Sequence, residues 1–213
     1  MANRTLCIFD LDGTLYETAR SFLPTMRRIY GEFGVPSPGD DKILAMVGET
    51  YSTFLEWLAP QGFSQDAREL GRRISEIEFE SIRTRGGLFP GVSETLAGLR
   101  DRGVRIALCT NGDRRYATHV LRTFEVLAFF DELKTNEDDC PTKSAMIGGL
   151  IDQFAPTRTY MVGDRIHDVE AGRANGCVVV GAAYGYGRPE ELAGADRTIA
   201  RFGDLLSVVD QFS

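Results

Sequence analysis

Cysteine is scarce in this chain of 213 residues. There are four, at positions 7, 109, 140 and 177, with no CxxC pair and no Cys/His finger spacing. That excludes a disulfide-packed miniprotein and a zinc module, and it leaves reduced thiols acting as small hydrophobes. Basic residues are also in deficit. Lys and Arg number 24 against 31 Asp and Glu, a formal charge of −7, so no general field draws in nucleic acid or an anionic membrane surface. Long hydrophobic runs are missing as well. The longest, Cys177 to Gly187, is too short and too rich in glycine to span a bilayer, and Asp10 and Asp12 interrupt the only apolar run near the N-terminus. There is no repeat and no low-complexity tract. What remains, 43% hydrophobic and 26% charged residues, describes an ordinary globular chain expected in the cytoplasm.

Short aliphatic runs alternate with amphipathic stretches. Thr5–Asp10, Val104–Thr110, Thr159–Asp164 and Cys177–Ala182 read as strands buried on both faces, with weaker candidates at Phe129–Lys134 and Arg197–Ala200. Helical patterns fall between them at Val92–Arg102, Arg115–Phe124, Lys143–Phe154 and Val169–Asn175. This alternation predicts an α/β fold with a parallel, Rossmann-like sheet. Residues 16–86 break the rhythm. They contain no strand-like run, only helical patterns near Ala19–Phe33, Lys42–Met46, Thr53–Leu58 and Gln65–Thr84, separated by Gly and Pro. The expected organisation is therefore a core of residues 1–15 and 87–213 with an all-helical insertion, 16–86.

Polar residues terminate the three clearest strands. The first leads into Asp10-Leu11-Asp12-Gly13-Thr14, the second into Thr110-Asn111-Gly112, and the third into Gly163-Asp164 with Asp168 just beyond. Ligands of open α/β sheets gather at the carboxyl ends of the strands, so these groups are expected to converge on one crevice. Four ionised carboxylates in one crevice repel each other. A hard divalent cation with oxygen ligands relieves that, and Mg²⁺ is the usual choice where phosphate is the substrate.

In these motifs the chain resembles the haloacid dehalogenase superfamily, mostly phosphatases and phosphotransferases. Phe9–Thr14 (FDLDGT) is similar to its first motif, Leu108–Gly112 (LCTNG) to its second, Lys143 to its third and Val162–Asp168 (VGDRIHD) to its fourth. The resemblance implies that Asp10 is the nucleophile, forming an aspartyl-phosphate, and that Asp12 is the general acid and then the base. Thr110 and Asn111 would bind the phosphoryl group, and Lys143 would neutralise charge and steady Asp10. Mg²⁺ would be held by Asp10, the backbone carbonyl of Asp12, Asp164 and Asp168, with the helical insertion as a cap. The carboxylate at position 12 argues against carbon–halogen hydrolysis. Lys42, the insertion's only lysine, stands in a polar Asp-Asp-Lys stretch, unlike a Schiff-base lysine. Two features depart from common family patterns: Tyr16-Glu17-Thr18 where many small-molecule phosphatases carry a small or acidic residue, and Pro141 before rather than after Lys143. Lys134 competes for the third motif but belongs to a weaker strand.

The expected activity is Mg²⁺-dependent hydrolysis of a small phosphomonoester, of phosphoglycolate, sugar phosphate or nucleotide type. A phosphotransferase or sugar-phosphate mutase, or a catalytically quiet binding protein, is the alternative. The expected partner is a small phosphorylated metabolite rather than nucleic acid or membrane, acted on by a monomer or homodimer. His167, Arg114 and the Gly48-Glu49-Thr50 loop are further candidates for substrate contact. His119, Trp57 and the Phe54–Leu58 pair read as packing residues.

Overall fold

The computed structural model describes residues 5–136 and 142–211; Cys140 and Pro141 lie outside them. The strands are β1 (Thr5–Phe9), β2 (Arg105–Thr110), β3 (Glu132–Thr135), β4 (Arg158–Gly163), β5 (Val178–Ala182) and β6 (Arg197–Ile199). They form one sheet in the order β3-β2-β1-β4-β5-β6, and every neighbouring pair is parallel. The fold is thus the Rossmann-like α/β fold expected from the alternation of apolar runs.

The central strands are mostly apolar and buried because both faces are covered, whereas the edge strands β3 and β6 carry polar, more exposed residues. Cys7 and Phe9 of β1 point to one side, into a cluster with Leu96, Leu99, Val120 and Phe202. Leu6 and Ile8 point to the other, against Met146, Ile147, Leu150 and Met161. The period of two divides each strand between two helix layers. On the first side lie α5 (Val92–Asp101), α6 (Arg114–Thr123) and α9 (Leu205–Gln211); on the second lie α7 (Lys143–Phe154) and α8 (Ile166–Ala174).

From β1 the chain runs through β2 to β3 on one side, then returns through α7 to β4 and continues to β6 on the other. The order reverses between β1 and β4, which is where the carboxyl edge of an open sheet leaves a crevice. Phe9 pairs with Val162, and the Asp10 N–H donates to the Val162 carbonyl at 2.9 Å, so Asp10 leaves the sheet beside Asp164.

Between β1 and α5 the described elements are helical: α1 (Ala19–Phe33), α2 (Asp40–Leu44), α3 (Tyr51–Leu58) and α4 (Ala67–Arg85). They build their own apolar cluster from Met26, Ile29, Phe54, Leu58, Leu70 and Ile74. Backbone hydrogen bonds from Glu17 to Gly87 and from Phe89 to Leu15, both 3.0 Å, hold the two linking segments side by side. Tyr16 is fully buried in the sheet cluster and donates to Ser21 Oγ at 2.7 Å.

Three elements differ from the sequence reading. The weak third strand begins at Glu132 rather than Phe129, because Phe129 closes a short 3₁₀ turn and packs against the core. The Asp131 carboxylate then accepts the Ile106 N–H at 2.8 Å and pairs with Arg100 and Arg105, fixing where the edge strand starts. Helix α8 begins at Ile166, three residues earlier than Val169, because the Asp168 carboxylate accepts the Arg165 N–H at 3.0 Å and closes the first turn. The seven-residue α9, which the sequence reading did not anticipate, buries Leu205, Val208 and Val209 in the sheet cluster.

Cys7, Cys109 and Cys177 are buried and form no disulfide with one another, and no described helix is long and apolar enough to cross a membrane. Ile8→Ala is expected to destabilise the fold by about 2–5 kcal/mol, because Ile8 is fully buried in the central strand. Chemical denaturation checks this. A loss below about 0.5 kcal/mol, the range of ordinary surface changes, would contradict the packing described.

Candidate active site

Asp10 follows β1 and is 3% exposed. Lys143, the first residue of α7, reaches it across the sheet edge. Its ammonium donates to Asp10 Oδ1 at 2.6 Å and to Asp168 Oδ1 at 2.5 Å, with all three side chains buried. Thr142 caps α7 by accepting the Ala145 N–H, which fixes the helix end that delivers Lys143. Lys134 lies in the edge strand β3 instead.

Asp164, just past β4, completes the cluster: one oxygen from each of Asp10, Asp164 and Asp168 lies within 4.8 Å of the others. Its orientation is set from three directions. Thr14 Oγ1 donates to Oδ1 at 3.3 Å, and the Tyr186 and Gly187 N–H groups donate to Oδ2 at 2.7 and 3.3 Å. Space around it is closed off by backbone. Gly13 has φ +81°, and a Cβ there would lie 2.3 Å from Asp164 Oδ2; a Cβ at Gly185 would lie 2.3 Å from the Asp164 Cβ.

Three buried carboxylates face one ammonium, so the cluster carries an excess of negative charge. Burial, together with Asp168, pushes Asp164 up to about 7. Burial also raises Asp10, against the pull of Lys143 and with the help of its acidic neighbours. Burial alone would favour neutral Lys143, but Asp10 and Asp168 outweigh it and hold the ammonium protonated. A rigid all-oxygen cradle with excess negative charge fits a hard divalent cation such as Mg²⁺.

Asp12 faces the other way, and its carboxylate lies outside this cluster. Its Oδ1 accepts hydrogen bonds from Tyr116 at 2.6 Å and Thr18 at 2.7 Å. Burial raises its pKa, and those two bonds only partly offset the shift. Thr110 ends β2 buried, and its hydroxyl accepts the Gly112 N–H at 3.1 Å. Asn111, expected at the phosphoryl group, donates its amide to the Gly48 carbonyl at 2.8 Å and so ties the sheet edge to the insertion.

Arg165, of the fourth motif, makes a second tie. It donates to the carbonyl of Val47 and pairs with Glu49 at 3.4 Å and Glu191 at 3.0 Å. Although burial favours its neutral form, Glu191 is pulled down to about 2 by Arg165 and two backbone N–H groups.

Next to Asp12 a crevice opens between the sheet edge and the insertion. Phe22, Phe54, Ile74 and Phe79 from the insertion face Asn111, Gly112 and Tyr116 from the sheet side. Gly48 and Glu49 also line it, placing that loop at the crevice; Phe54 both packs and lines. His167 lies 3.4 Å from Glu49, partly exposed, and the His119 ring packs tilted against Phe79, 4.4 Å between centroids. Arg114 donates to the Leu133 carbonyl, and Lys42 is exposed.

Sequence reasoning missed Tyr116, Thr18, the Tyr186-Gly187 amides and Arg165 as a tie. The only local signal was position: Tyr116 stands in the first turn of the helix after β2, and Thr18 directly before α1.

Fold and site together define an enzyme that works with carboxylates at the switch point of a parallel sheet. The family model of haloacid dehalogenase-like hydrolases matches residues 7–182, and the chain belongs to that family. It is 31% identical to tyrosine-protein kinase PtkA of Mycobacterium tuberculosis, over 91% of this chain and 67% of that protein. It is 28% identical to a phosphoglycolate phosphatase of Haemophilus influenzae, over 94% and 96% of the two chains. The fold is shared with a haloacid dehalogenase-like hydrolase from Streptococcus pneumoniae, at a TM-score of 0.82 and 23% identity over 100% of both chains.

The charge imbalance has a measurable consequence. Asp164 binds its proton more tightly when folded, at about 7, than the ~3.9 of an unfolded aspartate. Its contribution to stability is therefore full below pH ~4 and lost as pH rises through about 7. Metal-free protein is expected to lose thermal stability over that window, and Asp164→Asn to lose less. Excess Mg²⁺ should restore the wild type by about 2–3 kcal/mol at a hundredfold excess over its Kd, and the variant by much less. Equal stabilisation of both by Mg²⁺ would contradict the assignment of the cradle.

Proposed function

We propose that the chain is a phosphatase that hydrolyses a small phosphomonoester through an aspartyl-phosphate on Asp10. The observation that carries this is the pairing of buried Asp10 with Lys143 while Asp12, two residues on, is turned away with a raised pKa. Asp10 has an ammonium bonded to it that favours its charged form against burial; Asp12 has none bonded to it, only two hydroxyl donors, and burial biases it towards its protonated form, as an acid requires.

An Asp10 oxygen attacks phosphorus, the bond to the leaving oxygen breaks, and Asp12 gives that oxygen its proton. Asp12, now ionised and steadied by Tyr116 and Thr18, takes a proton from water. The water oxygen attacks phosphorus, the bond to Asp10 breaks, and phosphate leaves. The Lys143 ammonium offsets the charge on Asp10 throughout, and the Thr110 hydroxyl donates to a phosphoryl oxygen. Mg²⁺, held by Asp10, Asp164, Asp168 and the Asp12 carbonyl, would supply charge neutralisation at the phosphoryl oxygens.

In this reading residues 16–86 form a cap on the core of residues 1–15 and 87–213. It closes through the Asn111–Gly48 and Arg165–Val47 bonds and keeps bulk water from the intermediate. Buried reduced thiols suit a cytoplasmic enzyme, with a small phosphorylated metabolite rather than nucleic acid or membrane as partner, working as monomer or homodimer. A phosphotransferase is the second reading, favoured by the likeness to tyrosine-protein kinase PtkA. Transfer of the phosphoryl group to an added alcohol or phenol, in place of release to water, separates the two.

Phosphate release from a panel of phosphomonoesters is expected to need both Mg²⁺ and Asp10, and Asp10→Asn to abolish it. Release that persists in Asp10→Asn would overturn the proposal. Asp12→Asn should slow hydrolysis of alkyl phosphates by about 10²–10⁴-fold. Measured as kcat/KM, which reports the step up to departure of the leaving group and not the later attack of water, it should slow para-nitrophenyl phosphate much less, because that leaving group departs without a proton. Equal losses on the two kinds of ester would remove Asp12 from the acid role.

A further inference from the structure

Building on the phosphatase reading, we propose that the crevice selects a phosphomonoester whose leaving group is aromatic and carries a positive rather than a negative charge, with Glu78 as the residue that reads that charge. Phe22, Phe54, Phe79 and Tyr116 line the crevice, with Ile74 beside them, and these rings offer flat apolar surface to an aromatic leaving group. Its charged lining is of one sign. Asp12, Glu49, Glu78 and Asp113 face it, and no Lys or Arg among the described residues lines it.

Three of those four carboxylates already have partners. Asp12 accepts from Tyr116 and Thr18, and Asp113 caps α6 by accepting the Tyr116 N–H at 2.7 Å. Glu49 meets Arg165 and His167. Glu78, on α4 and partly buried, has no hydrogen bond or ion pair to another described residue. Burial, reinforced by Asp12 and Asp113, pushes its carboxyl up to about 8, so a cation is what would hold it ionised at neutral pH.

The neighbouring cations are committed elsewhere. Arg165 is bound by Glu49, Glu191 and the Val47 carbonyl, and Arg115 lies over the Phe79 ring at 4.8 Å. A leaving group with its own carboxylate, as in phosphoglycolate, would find no counter-charge in the wall and could be accepted only while Asp12 and Glu78 beside it stay protonated. An ammonium on an aromatic leaving group would replace the Glu78 proton with an ion pair and satisfy a group that has no other partner. The likeness to phosphoglycolate phosphatases does not conflict with this, because the machinery around Asp10 is separate from the walls that receive the leaving group.

The test compares kcat/KM for four esters: tyramine phosphate, para-ethylphenyl phosphate, the phosphate of para-hydroxyphenylpropionate, and phosphoglycolate. The first three leave as phenols of similar basicity on a common two-carbon side arm and differ in the charge at its end. The ammonium ester is expected to exceed its carboxylate counterpart by about tenfold or more, attraction and repulsion each contributing a few-fold, with the neutral ester between them. Glu78→Gln should bring the ammonium and neutral esters to within about twofold, and Glu78→Lys should invert the order of the charged pair. Faster hydrolysis of the carboxylate ester or of phosphoglycolate by the wild type would overturn the proposal while leaving the phosphatase reading intact. So would an unchanged ranking in Glu78→Gln. Phosphate release from none of the four would overturn the phosphatase reading and this inference with it.

Discussion

Lys143 carries one positive charge into a site where Asp10, Asp164 and Asp168 are all buried. Breaking a buried pair of this kind by removing one partner costs several kcal/mol, and even an intact pair gives little net stability. The arrangement is therefore poor as a structural device and well suited to a reactive one. Much of the local structure answers to it. Thr142 fixes the start of α7 so that the ammonium reaches two carboxylates, Thr14 and the amides after β5 hold Asp164, and Asp168 is locked by closing the first turn of α8.

The topology supplies the geometry for this cluster. Its members come from the end of β1 and, more than a hundred residues further along the chain, from the end of β4 and the starts of α7 and α8, and they meet because the strand order reverses between β1 and β4. Asp12 uses the same strand end for a different purpose. Two residues beyond Asp10, with Gly13 turning the chain through a positive φ, its carboxylate faces the helical insertion and meets Thr18 and Tyr116. One short segment thus serves two environments, the charged cradle and the crevice wall. The insertion is bonded to both sides, through Asn111 to Gly48 and Arg165 to Val47, so its position is coupled to the second and fourth motifs.

The central strands were legible because strands covered on both faces carry unbroken apolar runs that end in polar residues, as Thr5–Asp10 and Thr159–Asp164 do. The helices of the insertion were legible by period and by their Gly and Pro breaks. Edge elements were less so: Phe129 belongs to a turn because its ring packs on the core, and α9 is too short to show a period. Lys143 could be chosen over Lys134 by motif position, but its double pairing depends on how α7 crosses the sheet. Tyr116, Thr18, Glu78 and the Tyr186–Gly187 amides were not legible as site residues. Their significance comes from contacts across the fold, such as Tyr116 to Asp12 over 104 positions, which no local pattern encodes.

The claim that most depends on this geometry is that Asp10, and not water activated in place, attacks phosphorus. Quenching the protein in acid during turnover of para-nitrophenyl phosphate and reducing it with borohydride converts an acyl phosphate to the corresponding alcohol. Peptide mass spectrometry then locates the change. The structure predicts homoserine at position 10, formed only when substrate is present. Unmodified Asp10 in protein quenched during active turnover, or reduction at Asp12, Asp164 or Asp168 instead, would contradict it.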